Sequence, residues 1–310
     1  MSVLGKDPAF VTQYLRNFRG GSQAILARAS DGFQYVVKFA NNLQGPNLLF
    51  NESAGSELYR ACGLPVPEWT PLWICDRFLD RNPTCWIQTP EGRLRPSSGL
   101  CFGSRYLGLN GKRLLEILPG SMFKRVRNQS SFWLAWLIDV CAEHVDNRQA
   151  IFVEDADGLL DACFVDHGHL FGGPRADLKR SFCASCYRDF RASCYLDRRI
   201  YGQVPTDVLL DFQHVLQALD ADKLRQRVAE IPAQWGDALA RESFERCILR
   251  LKTASHVQHL IDEITYDLER RTESESRAIR IERQPITAVL RFGLQGARLG
   301  PRYTHDRHCA

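Results

Sequence analysis

HVDNRQAIFVEDADGLLDACFVDHGH, residues 144–169, divides into a polar turn (His144 to Gln149), an apolar run (Ala150 to Val153), a reversal through Asp155-Ala156-Asp157-Gly158, and a second apolar run (Ala162 to Val165) that closes on Asp166-His167-Gly168. An Asp-Gly step between apolar runs predicts a hairpin, because glycine reaches positive φ without strain and aspartate tolerates the left-handed region. The hairpin sets Asp146 and Asp166 just beyond its strand ends, so two carboxylates remote in sequence come close in space. Phosphoryl transfer asks for such a pair. One carboxylate orients or deprotonates an acceptor hydroxyl, a neutral oxygen ligand follows shortly after it, and a second carboxylate holds the metal on the nucleotide phosphates. Asp146, Gln149 and Asp166 suit those roles in that order. Taken alone, the stretch fits ordinary turn residues better than a catalytic pair, so its meaning rests on the remainder of the chain.

Upstream, Arg19-Gly20-Gly21-Ser22-Gln23 precedes an apolar run (Ala24 to Ala29), a turn at Ser30-Asp31-Gly32 and a second run (Phe33 to Phe39). This is another Asp-Gly hairpin, and the glycine pair before it lets backbone N–H groups approach a phosphate without a Cβ in the way. Lys38 sits in the apolar strand Tyr35 to Phe39 and shares a face with Val36, so its ammonium needs a partner or a solvated cleft. Fourteen residues later comes Glu52, in a segment that runs to Cys62 and stops at Gly63, with Asn51 as the expected N-cap. A strand lysine followed by a helical glutamate is an arrangement that orients lysine on nucleotide phosphates. The predicted ion pair lies within about 4 Å.

Between Thr70 and Gly111 the pattern predicts a short helix around Trp73 to Arg81, a strand near Cys85 to Gln88, a turn at Glu91-Gly92 and a strand from Leu100 to Tyr106. A lobe boundary falls between Tyr106 and Pro119, where backbone would read an adenine edge. Ser130 or Ser131 is the expected cap of a helix through Phe132, Trp136 and Val140 that leads into the His144 loop. Helices are predicted from Thr206 and over Glu245 to Arg271. The chain therefore reads as α+β with residues 1–117 a β-rich nucleotide-binding lobe, 118–273 a mainly helical catalytic lobe, and 274–310 a basic tail carrying seven arginines. That tail reads as a solvated, partly disordered extension; binding of nucleic acid through it is the lesser alternative.

Composition narrows the function classes. The 310 residues are 45% hydrophobic and 25% charged, as in ordinary globular proteins, and a net charge of +4 argues for neither a nucleic-acid coat nor a membrane surface as main partner. The most apolar run, Phe132 to Ala142, is too short to span a bilayer and contains Asp139. A cytoplasmic protein is expected, with most of its eleven cysteines reduced and buried. Zinc is not expected: Cys183-x-x-Cys186, Cys194 and His214 lack a second Cys-x-x-Cys.

Arg19-Gly-Gly-Ser-Gln-Ala, Tyr35-Val-Val-Lys-Phe with Asn41-Asn42 and Gln44-Gly45, Asn51-Glu52, Gly63-Leu-Pro-Val-Pro, Phe102-Gly-Ser-Arg-Tyr, Asp146-x-Arg-Gln-Ala-Ile-Phe and Val165-Asp-x-Gly together resemble the small bacterial branch of the HipA-like kinase family. The resemblance spans roughly Arg19 to Phe171. It implies a two-lobed protein-kinase-like fold with ATP and Mg²⁺ between the lobes and a hydroxyl acceptor, Ser or Thr of a protein, the chain itself included. It also implies Lys38 on the nucleotide phosphates, Glu52 as its ion-pair partner, Asp146 at the acceptor hydroxyl and Asp166 on the metal. The branch usually has asparagine where this chain has His144, which keeps a nucleotide-binding regulator without transferase activity as the alternative.

Overall fold

The computed structural model describes residues 8–18, 20–108, 112–146, 148–175, 206–259, 261–262 and 266. The chain divides into two compact units, Met1–Leu268 and Glu269–Ala310, and the described residues belong to the first. The expected basic tail and the Cys183, Cys186 and Cys194 group lie outside the described residues.

Five strands close into a barrel in the order β1 (Ala9–Asn17), β2 (Ile25–Ala29), β3 (Gln34–Lys38), β7 (Gly99–Arg105) and β4 (Trp69–Ile74). The β2–β3 hairpin follows from Asp31-Gly32: Gly32 has φ +86°, and the Asp31 carboxylate accepts the Phe33 N–H at 3.0 Å. Alternation along β3 sends Tyr35 and Val37 into the barrel core and leaves Val36 and Lys38 on the opposite face. Strand β1 was not signalled by the sequence. It alternates weakly, is largely exposed, and is held by antiparallel pairing to β2 and a short parallel ladder to β4. The expected helix from Trp73 is half strand: β4 continues to Ile74, and only Asp76–Arg81 forms the helix α2. A small ladder, β5 (Ile87–Thr89) with β6 (Gly92–Leu94), flanks the barrel.

Helix α1 (Leu48–Ala61) begins earlier than expected. Asn47 is its N-cap residue, so Asn51 lies inside the helix and its side chain serves another purpose. Every residue from Leu48 to Tyr59 is buried, although the sequence there is rich in Asn, Glu and Ser. Such burial is tolerable only if each polar group is satisfied. Ser53 and Ser56 Oγ donate to the carbonyls of Leu49 and Glu52, and the remaining side chains build the site described below. Gly63, φ +76°, closes the helix as its C′ residue.

The second region is a three-stranded sheet and helices. Strand β8 (Arg113–Leu115) pairs with β9 (Gln149–Glu154), which forms the expected hairpin with β10 (Leu160–Val165). Helix α3 (Ser130–Cys141) leads into the His144 loop, but neither serine caps it: Gln129 holds the N-cap position without a side-chain bond. Helices α4 (Thr206–Ala218), α5 (Ala221–Ala229) and α6 (Ala238–Lys252) complete the region. The long helix expected to Arg271 breaks at Thr253, whose backbone is extended, and helix resumes at 254–259. One apolar core joins α1 to α3 and the helices that follow, separate from the barrel's own core.

Candidate active site

Lys38 leaves the last residue of β3 and meets two carboxylates. Its Nζ lies 2.5 Å from Glu52 Oε1 and 2.8 Å from Asp166 Oδ1. Glu52 also accepts backbone N–H groups of the loop after β10: Gly168 N at 2.8 Å and His167 N at 3.2 Å. A Cβ on Gly168 would come within 2.8 Å of Glu52 Oε1 and would also strike Leu48, which explains the glycine two residues after Asp166. Gly55 serves the same closeness from the helix side, since a Cβ there would sit 2.6 Å from His167 and Leu170. Asn51 completes the seam by donating Nδ2 to the carbonyls of Gly168 and Leu170 at 3.0 and 2.9 Å. Helix α1 is thus clamped onto the Asp166 loop.

Two carboxylates share one ammonium, so they cannot be equally comfortable as anions. Burial disfavours the charge of Asp166, yet Lys38 holds its carboxyl below the usual range. Burial pushes Glu52 up to about 7 against the pull of Lys38. Burial likewise opposes the Lys38 charge, but Asp166 and Glu52 together hold the ammonium protonated. Asp166 has φ +62°, a left-handed conformation that only a few non-glycine residues tolerate.

This triad forms one wall of a cavity of about 220 Å³. Gly20, Gly21 and Ser22 line it, as do the apolar side chains of Ala24, Val36, Phe102 and Ile151 and the end of β7 through Leu107. The glycine loop is supported from beneath, where Asn42 Nδ2 donates to Ser22 O at 2.6 Å and Gln44 Nε2 would lie 2.9 Å from a Cβ on Gly21. Gln149 lines the cavity at the start of β9, paired with Val165. Asp146 stands outside the lining, with 45% of its side chain exposed and Oδ2 3.9 Å from His169 Nε2. Its loop and the Asp166 loop are laced together by Val145 N donating to His169 O at 3.0 Å. Asp166 and Gln149 offer oxygen donors, the class Mg²⁺ takes, and Mg²⁺ needs few protein ligands when phosphates and water complete its shell. Among the described residues no cluster of three or more His, Cys, Asp or Glu could hold a metal ion by itself.

Behind the cavity lies a network that the sequence reading missed. Arg148 is buried and donates to both oxygens of Asp139 at 2.9 and 2.6 Å, then to the carbonyls of Val165 and Asp166 at 3.1 and 3.4 Å. Tyr59 Oη donates to Asp139 Oδ1 at 2.6 Å, and the guanidinium lies over the Tyr59 ring at 4.7 Å. Despite burial, Arg148, with a hydrogen bond from Tyr59, holds the Asp139 carboxyl below its usual range. A guanidinium only donates, so His167 Nδ1, 3.1 Å from Arg148 Nη1, is the acceptor and its proton sits on Nε2. Burial lowers the His144 pKa to about 3 and, with Arg148 nearby, takes that of His167 well below its normal value. The one signal available was a charge, Asp139, inside an apolar helical run.

No protein-family model matches the chain, and no curated protein matches it. Among solved structures, a Helicobacter pylori proinflammatory kinase, CtkA, is similar over 86% of this chain and 99% of that one, with 13% identity and a TM-score of 0.51. The chain has a two-lobed, kinase-like α+β fold. The Golgi casein kinase is similar at a TM-score of 0.46 and 13% identity, covering 84% of this chain and 74% of that one, and 88% and 76% in a structure with Mn/ADP bound. No helix among the described residues is long and apolar enough to cross a membrane.

Proposed function

We propose that this protein is an ATP-dependent kinase of the HipA-like type that transfers the γ-phosphoryl group to a Ser or Thr hydroxyl of a protein, its own chain included. The observation that carries the reading is the Lys38–Glu52–Asp166 triad on the wall of a cavity roofed by Gly20, Gly21 and Ser22. Lys38 donates to the nucleotide phosphates, and Glu52 fixes the lysine while anchoring the Asp166 loop. The glycine loop presents backbone N–H groups to the same phosphates. Asp166 and Gln149 would hold Mg²⁺, which when bound offsets phosphate charge. Asp146, on the solvent side, accepts the proton of the acceptor hydroxyl as its oxygen attacks the γ-phosphorus and the bond to the bridging oxygen of ADP breaks.

The test is transfer from labelled ATP with the phosphate mapped on the products. Asp166→Asn abolishes Mg²⁺-dependent transfer while leaving the fold intact, and transfer at the wild-type rate in that variant overturns the assignment. The exposed placement of Asp146 outside the cavity lining favours one other reading, a nucleotide-binding regulator. That reading stands if MgATP stabilises the wild type and no labelled product forms.

A further inference from the structure

Helix α1 carries a second buried carboxylate, Glu57, on which two guanidinium groups converge. Arg60 of the same helix donates to it at 2.7 Å, Trp69 Nε1 at 2.8 Å, and Arg227 of α5 reaches it at 3.3 Å. Beside this cluster opens a cavity of about 560 Å³, distinct from the nucleotide cavity, lined by Arg60, Arg227, Lys223 and Asp220 among others. Lys223 is exposed, and no partner for its ammonium is found among the described residues. The Asp220 carboxylate is engaged as the cap of α5, accepting the Lys223 N–H at 2.9 Å. Three cationic side chains therefore face two carboxylates, one of them buried and already bonded by three donors.

We propose that this cavity binds a phosphate dianion, free or carried on a phosphoserine, and that its occupancy loosens the hold of α5 on α1. Guanidinium groups match phosphate oxygens bidentately, and lysine adds a mobile point charge. The contact from Arg227 to Glu57 is the longest of the three and joins two separate helices, so it yields first to a competing anion. Arg60 and Trp69 keep Glu57 satisfied when Arg227 turns away, and Asp220 remains committed to its helix. Glu52 lies five residues before Glu57 on the same rigid helix, so a looser α1 weakens the grip on Lys38. The coupling half rests on the proposed nucleotide role of Lys38 and Glu52; binding of the anion does not.

The experiment titrates the full chain with inorganic phosphate and, separately, with a phosphoserine peptide, read by calorimetry and thermal shift. Saturable binding is expected in the wild type and in Lys38→Met, weakened at least tenfold in Lys223→Ala. A tenfold tighter peptide assigns the site to a protein-borne phosphate; equal affinities assign it to the free ion. Binding untouched by Lys223→Ala, or lost in Lys38→Met, puts the anion in the nucleotide cavity and overturns the site. Phosphate should weaken MgATP binding about fivefold in the wild type and not in Lys223→Ala, the low end of ordinary allosteric coupling. MgATP affinity indifferent to phosphate overturns the coupling. Absence of MgATP binding under both conditions strikes the proposed kinase and leaves the phosphate site standing.

Discussion

Two clusters of buried charge lie back to back across the Asp166 loop. In the front cluster Lys38, Glu52 and Asp166 form a wall of the cavity lined by Gly20, Gly21 and Ser22, and Asp166 keeps 19% of its side chain exposed. In the rear cluster Arg148, Asp139, Tyr59, His144 and His167 are all buried. The front holds two carboxylates for one ammonium and is thus incompletely neutralised; the rear pairs one guanidinium with one carboxylate and fills its remaining contacts with carbonyls and neutral rings. The first is left short of positive charge, whereas the second holds loops in register. Removing one partner should accordingly unfold the rear and merely disarm the front.

The sharpest break comes from Asp139→Ala, which strands Arg148 without a counter-charge in the interior. A loss of roughly 3–5 kcal/mol is expected in denaturant unfolding, and a loss under about 1 kcal/mol would show that water reaches the rear cluster. Acid comes next. His144 is neutral in the fold down to about pH 3 but protonates near 6.5 in the unfolded chain. Its contribution is therefore present above pH 6.5 and is lost as pH falls from there toward 3. Between pH 6.5 and 5 this amounts to up to about 2 kcal/mol, at about 1.4 kcal/mol per pH unit. Glu52, raised to about 7, works in the opposite sense over part of that range, so the measurement is the difference between wild type and His144→Asn. Parallel stability curves from pH 7 to 5 would refute a neutral His144.

In the front cluster, Lys38→Met should lower stability by less than about 2 kcal/mol, because Glu52 can take up a proton once the ammonium is gone, and the methionine keeps much of the stem's packing. Binding should suffer far more. The stabilisation of about 2.7 kcal/mol that a ligand gives at 100 times its Kd should vanish for MgATP. The smallest effect, and the finest test, is the double variant Lys38→Met with Glu52→Gln. Its loss of MgATP affinity should barely exceed that of Lys38→Met, since the two residues act as one unit. Additive losses would separate them.

The two clusters also differ in how visible they are along the chain. Lys38 ends one strand of an Asp-Gly hairpin and Asp166 directly follows another, and Gly32 and Gly158 both show the positive φ that such turns require. Local chemistry therefore gave away the hairpins and their polar ends. Asn51 was misread as a cap because its sequence context fits one, whereas the side chain is spent on two carbonyls of a loop more than a hundred residues away. The rear cluster depends on a carboxylate in one helix, an arginine in the next loop and a tyrosine in α1. No periodicity links them. Strand β1 was invisible for a related reason: its partners, not its own alternation, make it a strand.

The parallel ladder that joins β1 to β4, Ala9 with Leu72 and Phe10 with Trp73, closes the barrel and so removes the free strand edges on which chains add to one another. It also imposes an order on folding. Hairpin β2–β3 can form from neighbours in sequence, but the seam between β1 and β4 must wait until the intervening loop has been closed at an entropic cost. During that interval two unpaired edges stand open on the nascent lobe, so the seam sets how long the chain is vulnerable to aggregation.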